Sequence, residues 1–285
     1  MANFKLIWDN KTDSSTLSGG FWEALLPLTN VQDKLLQKTA RSEDVALTST
    51  QFDCDTDPAS SIQAIILCNH NMSLTSLIRI RLSDDVYFAT SDYDSGWVDV
   101  FESVYSPENV NWEDDNFWFG KLDQRSLSGY SVNYTHLMTE SYSNQYMRIE
   151  INDTGNSDGY VEFGRLITAP IFQFVKNAIY GATISWKDET IVSESIGGSA
   201  FHEQRQKRRN YSFSTDFMDV DEALESVFEL QRNRGISGEI FLIPDSDDVL
   251  NSFRTSFLGR FTKLEGITHR FFSKYKTSYN IEEIL

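Results

Sequence analysis

Tyr146-Met-Arg-Ile-Glu-Ile151 alternates apolar and polar side chains, and Tyr160-Val-Glu-Phe-Gly-Arg-Leu-Ile167 repeats the alternation across the turn Asn152–Gly159. Successive side chains of an extended strand point to opposite faces, so a period of two marks strands with one face on a core. Upstream, Leu77, Ile78, Ile80 and Leu82 interleave with Arg79 and Arg81 and end in the turn Ser83-Asp84-Asp85. Gln63-Ala-Ile-Ile-Leu-Cys68 is nearly unbroken in its apolar character, as in a central strand covered on both faces. Val45 and Leu47, followed by Phe52 and Cys54, suggest a strand pair. Val86–Ala89 and Trp97–Val104 suggest two more strands about Asp92–Gly96, and Phe4–Trp8 an opening strand. Phe21–Leu36 reads as an irregular turn or short helix, and residues 106–127 as an aromatic, acidic loop. Many short strands with few helices predict an all-β sandwich or jelly roll for the first half.

The character of the chain changes near residue 170. A length of 285 residues suits two domains, placed at 1–172 and 173–285. Ala182–Trp186 and Ile191–Ser195 read as an exposed hairpin and Tyr211–Phe217 as a strand. Val220–Arg234 is the clear helix: Asp219 is a plausible N-cap with Glu222 three residues on, Ala223, Leu224, Val227, Phe228 and Leu230 form an apolar stripe, and Gly235 suits the C′ position. Strands Gly238–Ile243, Ser256–Leu264 and Ser278–Leu285 follow, so the second domain is α+β and the chain mainly β.

Composition narrows the function. With 40% hydrophobic and 13% aromatic residues the chain can bury real cores. Its 25 basic against 42 acidic residues leave a net charge of −17, which repels phosphate backbones and argues against a nucleic-acid partner. The surplus is uneven: residues 1–175 carry 11 basic and 25 acidic side chains, a net of −14, and residues 176–285 carry 14 and 17, a net of −3. No stretch approaches the ~20 apolar residues of a membrane span, so membrane insertion is not expected. The opening Met-Ala-Asn-Phe-Lys-Leu lacks the apolar run of a signal peptide, which leads to an expectation of synthesis in a cytoplasm. Cys54 and Cys68 form no Cys-x-x-Cys pattern and read as small buried hydrophobes.

Few residues carry chemistry. His70, His136, His202 and His269 stand singly, without ligand spacing, and no nucleophile elbow, P-loop or dinucleotide fingerprint occurs, so neither an enzyme nor a cofactor is expected. Asn152–Gly159 is rich in oxygen donors but lacks the calcium-loop register and reads as a hairpin turn. Trp112 and Trp118, with Glu113 and Asp115 beside them, are the candidate carbohydrate-binding residues, since a pyranose stacks its C–H face on a ring while carboxylates take its hydroxyls. The same rings could instead close the end of the sandwich or meet another subunit. Arg205, Lys207, Arg208 and Arg209 form a basic cluster with three readings, a solvated tip, a nucleic-acid contact or a subunit interface; the last best fits a chain that is acidic elsewhere.

Residues 40–170 resemble the galactose-binding-like, discoidin-type jelly roll. The likeness is carried by Gln51-Phe-Asp-Cys-Asp55 before Ile62–Cys68, by Ser76–Asp85, by Asp94-Ser-Gly-Trp97, and by Asn144-Gln-Tyr-Met-Arg-Ile-Glu-Ile151 with Gly159–Leu166 as its closing partner. The chain as a whole resembles tail-tip and baseplate proteins of long-tailed bacteriophages, distal tail proteins among them, through Ser15-Thr-Leu-Ser-Gly-Gly-Phe-Trp22, Thr39-Ala-Arg-Ser42, Asn69-His-Asn71, Phe228-Glu-Leu-Gln-Arg232 and Ser256-Phe-Leu-Gly-Arg260. That resemblance implies a structural virion component made in the host cytoplasm, with its second domain similar to a tail ring or tube domain. Copies of the chain would form a three- or six-fold ring joining the tail tube to the hub or fibres. The jelly-roll resemblance implies, as the alternative, a module that binds host glycans, and allows a structural calcium with no assigned ligands.

Overall fold

The computed structural model describes residues 3–103, 120–121, 127 and 129–285. Its strands, in chain order, are β1 (Lys5–Ile7), β2 (Thr16–Ser18), β3 (Ala40–Arg41), β4 (Phe52–His70), β5 (Leu77–Ser83), β6 (Tyr93–Asp94), β7 (Val98–Asp99), β8 (Asn133–Asn152) and β9 (Glu162–Ala169). They continue as β10 (Phe172–Gln173), β11 (Thr183–Lys187), β12 (Ile191–Glu194), β13 (Ala200–Glu203), β14 (Arg208–Met218), β15 (Ile240–Ile243), β16 (Phe257–Phe261), β17 (Thr268–Phe271) and β18 (Lys274–Glu283). The chain is mainly β, as its alternating segments predict. It divides into a jelly-roll unit, residues 7–172 with 247–254, and an α+β unit, residues 1–6, 173–246 and 255–285.

In the jelly-roll unit β4 and β8 form the spine, antiparallel from Phe52↔Ile149 to Cys68↔Asn133. Their outer partners change along the way. The first part of β4 takes β2, its last part takes β9, and the last part of β8 takes β5. One long ladder therefore serves two layers of a sandwich, with Phe52, Ile65, Leu67, Ile80, Ile149 and Phe163 in the core between them. Ile66 and Ala64, on the opposite side of β4, are also fully buried, which is why 63–68 reads as continuously apolar. Along β5, Ile78, Ile80 and Leu82 enter the core. The other face carries Arg79, paired with Asp94, and Arg81, paired with Glu150.

Two sequence expectations are corrected here. Val86–Ala89 is a turn rather than a strand: the Asp85 carboxylate accepts the backbone N–H groups of Tyr87 and Ala89, both at 3.0 Å, and Phe88 has φ +54°. This is the local competition that Asp offers to a ladder. Val45 and Leu47 do not pair with Phe52 and Cys54, because Leu47–Thr50 is a single helical turn, held by the Thr50 hydroxyl donating to the Ile151 carbonyl at 2.6 Å.

Close approach of backbone makes Gly164 irreplaceable in β9. A Cβ there would lie 2.5 Å from the Leu36 carbonyl oxygen. Gly164→Ala is expected to destabilise the jelly-roll unit by about 1–3 kcal/mol, read as a lower urea midpoint at unchanged slope.

His70 is a second sensitive point. Its Nδ1 accepts the Met72 N–H at 3.3 Å, and its ring meets Phe101 edge-on at 5.7 Å. Burial pulls the imidazole down to about 3. The unfolded chain gains a proton near its ordinary value of about 6.5, and the folded chain refuses it until about pH 3. Stability is therefore intact above pH 6.5 and falls as pH drops through that window, by up to about 1.4 kcal/mol per pH unit. His70→Asn keeps an acceptor for Met72 and cannot ionise, so its stability should fall less steeply than wild type between pH 6 and pH 4 in matched urea titrations.

The α+β unit is built on a sheet of order β10-β1-β15-β16-β18-β14-β11, with β17 paired to β18. β1 belongs to this sheet, whereas the sequence reading kept it in the first domain. Phe4 stacks on Phe213 at 4.5 Å, and Leu6 is fully buried. The helix is present as a π-helix, Glu222–Phe228, running into an α-helix, Glu229–Arg234, with Gly235 at φ +53° closing it. Ala223, Val227 and Leu230 are its buried stripe. Asp219 does not cap it through its side chain, since that carboxylate accepts the Lys274 ammonium instead.

Candidate functional site

β11 is the terminal strand of the α+β sheet. Ile184 faces Tyr211 and Trp186 faces Arg209 across the ladder, so both point to the core side of the sheet. Each remains 48% exposed. An apolar face thus continues past the material that covers it, along the strand at which the sheet ends.

The chain then leaves the sheet. The sequence reading joined Ala182–Trp186 to Ile191–Ser195 as one hairpin; instead β11 pairs with β14, and β12 pairs with β13 as a separate two-stranded ribbon. The ribbon closes through Ser195–Ser199, with two backbone hydrogen bonds, a third from the Ser199 N–H to the Ser195 hydroxyl, and Gly198 at φ +78°. Every residue of β12 and β13 is exposed. Ile191 and Phe201 share one face of the ribbon, and Val192 and Ala200 the other. Val192 is 55% and Phe201 62% exposed. An isolated two-stranded ribbon is marginal in water, and the apolar side chains on both of its faces are left uncovered among the described residues. Residues 183–203 therefore form an arm that needs a cover.

The basic cluster is split by strand alternation. Arg209 turns inward and is fully buried, its guanidinium paired with Glu283 and 5.0 Å from the centre of the Phe257 ring. It is a core residue and lies out of reach of any partner, contrary to the sequence reading. Arg205 and Lys207 stay exposed in loose pairs with Glu203 and Asp188, each at 3.5 Å. Arg208 projects from the opposite face, where four adjacent strands bring charged groups together. Lys187 on β11 opposes Arg208 on β14, and Glu282 on β18 opposes Arg260 on β16.

These four side chains and Glu189 line an open groove of about 560 Å³, with Ile236 and Phe261 in its wall. Glu282 is buried and accepts Lys187 at 3.1 Å and Arg208 at 3.3 Å. Glu189, hydrogen-bonded to Lys187 at 2.9 Å, raises the ammonium above its ordinary value, with Glu282 adding to the effect. The Arg208 Nε is buried without an acceptor, and the Arg260 guanidinium is exposed and makes no hydrogen bond or ion pair among the described residues. Sequence reasoning missed Lys187, Arg260 and Glu282, because only strand register joins them.

Trp112, Glu113, Asp115 and Trp118 lie outside the described residues. The Asn152–Gly159 segment is a turn that spends its oxygens internally: the buried Asp153 accepts the Ser73 N–H at 2.9 Å, the Ser73 hydroxyl and the Asn156 amide at 3.0 Å. Among the described residues no group of three His, Cys, Asp or Glu side chains is placed to hold a metal ion, and no helix is long and apolar enough to cross a membrane. Cys54 and Cys68 are buried and form no disulfide, and burial pushes the Cys54 thiol up to about 11.

No family model matches the sequence, and no curated protein does either. Among solved structures, the chain is similar to a family 32 carbohydrate-binding module of Clostridium perfringens NanJ, solved with galactose, at 12% identity over 58% of this chain and 99% of that one, with a TM-score of 0.37. It is similar to CBM32-1 of a family 31 glycoside hydrolase from the same organism, at 12% identity over 57% and 99%, TM-score 0.36. A fucolectin from striped bass, Morone saxatilis, aligns over 96% of this chain and 92% of its own at 11% identity, TM-score 0.37. Likeness at this level transfers no site residue from those proteins to this one.

Proposed function

We propose that the chain is a non-enzymatic structural subunit that assembles with copies of itself through the arm at residues 183–203. The observation that carries this reading is the arm itself. Ile184, Ile191, Val192 and Phe201 are exposed on and beside an open sheet edge, and an edge of this kind is a hazard to a monomer unless another chain closes it. Symmetric closure by identical copies is the commonest solution. The resemblance of the sequence to phage tail-tip and baseplate proteins supports the finer reading of a ring of three or six copies in a virion tail, between tail tube and hub or fibres. Mass photometry of the purified chain is expected to show one closed oligomer; a monomer persisting at tens of micromolar would defeat the proposal.

A second reading gives the jelly-roll unit a glycan ligand, and rests on the aromatic and acidic composition of the loop holding Trp112, Glu113, Asp115 and Trp118. One of the solved modules of similar fold was determined with galactose bound, at a similarity too low to bring that ligand here by itself. On a host-polysaccharide array this reading expects binding that Trp112→Ala or Trp118→Ala removes. Silence across the array with the wild type would retire it.

A further inference from the structure

We infer that the groove formed by Lys187, Arg208, Arg260 and Glu282 is a carboxylate-binding site, filled in the assembled state by an acidic side chain of a second copy of the chain. The occupant rests on the self-assembly reading above; the site itself does not.

Three cations and two carboxylates line the groove, so it keeps an excess positive charge in a chain whose net charge is −17. The carboxylates present do not saturate the cations. Glu282 reaches Lys187 and Arg208 only at 3.1 Å and 3.3 Å, longer than the ~2.7–2.9 Å of a good charge-assisted bond. Arg208 Nε is left buried with no acceptor, and Arg260 is unpaired among the described residues. A buried unsatisfied donor is costly until something accepts its proton, and the wall of Ile236 and Phe261 lowers the dielectric in which that acceptor would sit. Arg208 and Arg260 flank the buried Glu282, one on each neighbouring strand. A carboxylate entering between them would lie against two guanidiniums, the group best matched to its planar fork.

The second copy follows from charge and from position. Residues 1–175 carry a net of −14, so every copy offers surplus carboxylates to its neighbour. Lys187 ends β11, and Glu189 lies in the link to β12, so the groove opens where the arm leaves the sheet. A copy covering the arm comes within reach of the groove.

The experiment compares wild type, Arg260→Glu, Arg260→Lys and the arm variant Val192→Asp by mass photometry over a dilution series, with circular dichroism confirming that each is folded. Arg260 is exposed and makes no hydrogen bond or ion pair among the described residues, so its replacement should leave folding intact. The expected result is association weakened at least about tenfold in Arg260→Glu, weakened less in Arg260→Lys, which keeps the charge and loses the fork, and weakened in wild type by raising the salt. Arg260→Glu assembling like wild type, while Val192→Asp does not, would overturn the groove and leave the arm standing. A monomeric wild type would overturn the self-assembly reading and with it the occupant. Calorimetry with an octaglutamate peptide then tests the site alone: binding that Arg260→Glu abolishes upholds it, and no binding by wild type overturns it.

Discussion

Ile191→Asp combined with Phe201→Asp is expected to turn the assembled protein into monomers while leaving its fold and thermal stability intact. The two halves of that outcome have one cause. Both side chains are exposed in the single chain, and surface substitutions away from packed features usually change stability by no more than about 0.5 kcal/mol. In the proposed assembly the same side chains would be buried, and each would contribute about 1.5–3 kcal/mol when fully removed from water. Two such losses in every interface, with a carboxylate now facing an apolar partner, come to at least about 4 kcal/mol, or roughly a thousandfold in the association constant. Light scattering coupled to size exclusion measures it. An unchanged oligomer would mean that another surface closes the assembly and that the arm serves something else.

The second large effect lies inside the α+β unit. Arg209 and Glu283 are cross-strand neighbours, both about as buried as any core residue. The Glu283 carboxylate takes the Arg209 guanidinium on one oxygen and the Arg209 backbone N–H on the other, at 2.9 Å. Arg209→Met removes one charge and strands the other, which costs about 3–5 kcal/mol. Arg209→Met with Glu283→Leu removes both and should recover most of that loss, since a buried ion pair and an apolar pair of similar volume are often equivalent. The backbone N–H of residue 209 still loses its acceptor, so recovery falls short of complete. Hydrogen exchange at β14 and β18 amides during urea titration isolates this unit, and a cost below about 1 kcal/mol for Arg209→Met would show that solvent reaches the pair.

Strand alternation made much of this fold readable from the sequence. β5 and the second half of β8 bury mainly one face, and period two is a local property that survives any tertiary context; β9 is buried on both faces from Phe163 to Ala169, so its alternation marks a strand but not an exposed side. What escaped was long-range or self-concealing. The spine strand β4 runs unbroken through Asp57-Pro58, a dipeptide that reads as a break, because the proline falls where β4 and β8 shift register and no ladder N–H is required. The first half of β8, Asn-Tyr-Thr-His-Leu-Met-Thr-Glu, buries Tyr134 and Met138 but sets polar groups between and beyond them, so its period is blurred. Sequence placed the arm as exposed but mistook its pairing, because two apolar pentapeptides joined by a short polar link look like one hairpin. The groove was unreadable for a different reason: its charges come from β11, β14, β16 and β18, and adjacency among those strands is decided by the sheet order and not by any local pattern. The basic run at 205–209 was visible, yet its brightest member, Arg209, is the one that strand geometry buries.

β1 sets the order in which the two units can be completed. Its sheet neighbours β10 and β15 come much later in the chain; Lys5 donates to the Ser246 hydroxyl across 241 positions of sequence. Most of the jelly roll, residues 7–172, is encoded between β1 and β10 and closes on contacts within itself, so its sheets can form during synthesis while β1 waits as an unpaired strand. Loop closure over that span is slow, and the neighbouring jelly roll, already folded, shortens the search by taking most of the intervening chain out of play. β1 therefore belongs to the unit that is completed last, although it is made before every other strand of its sheet.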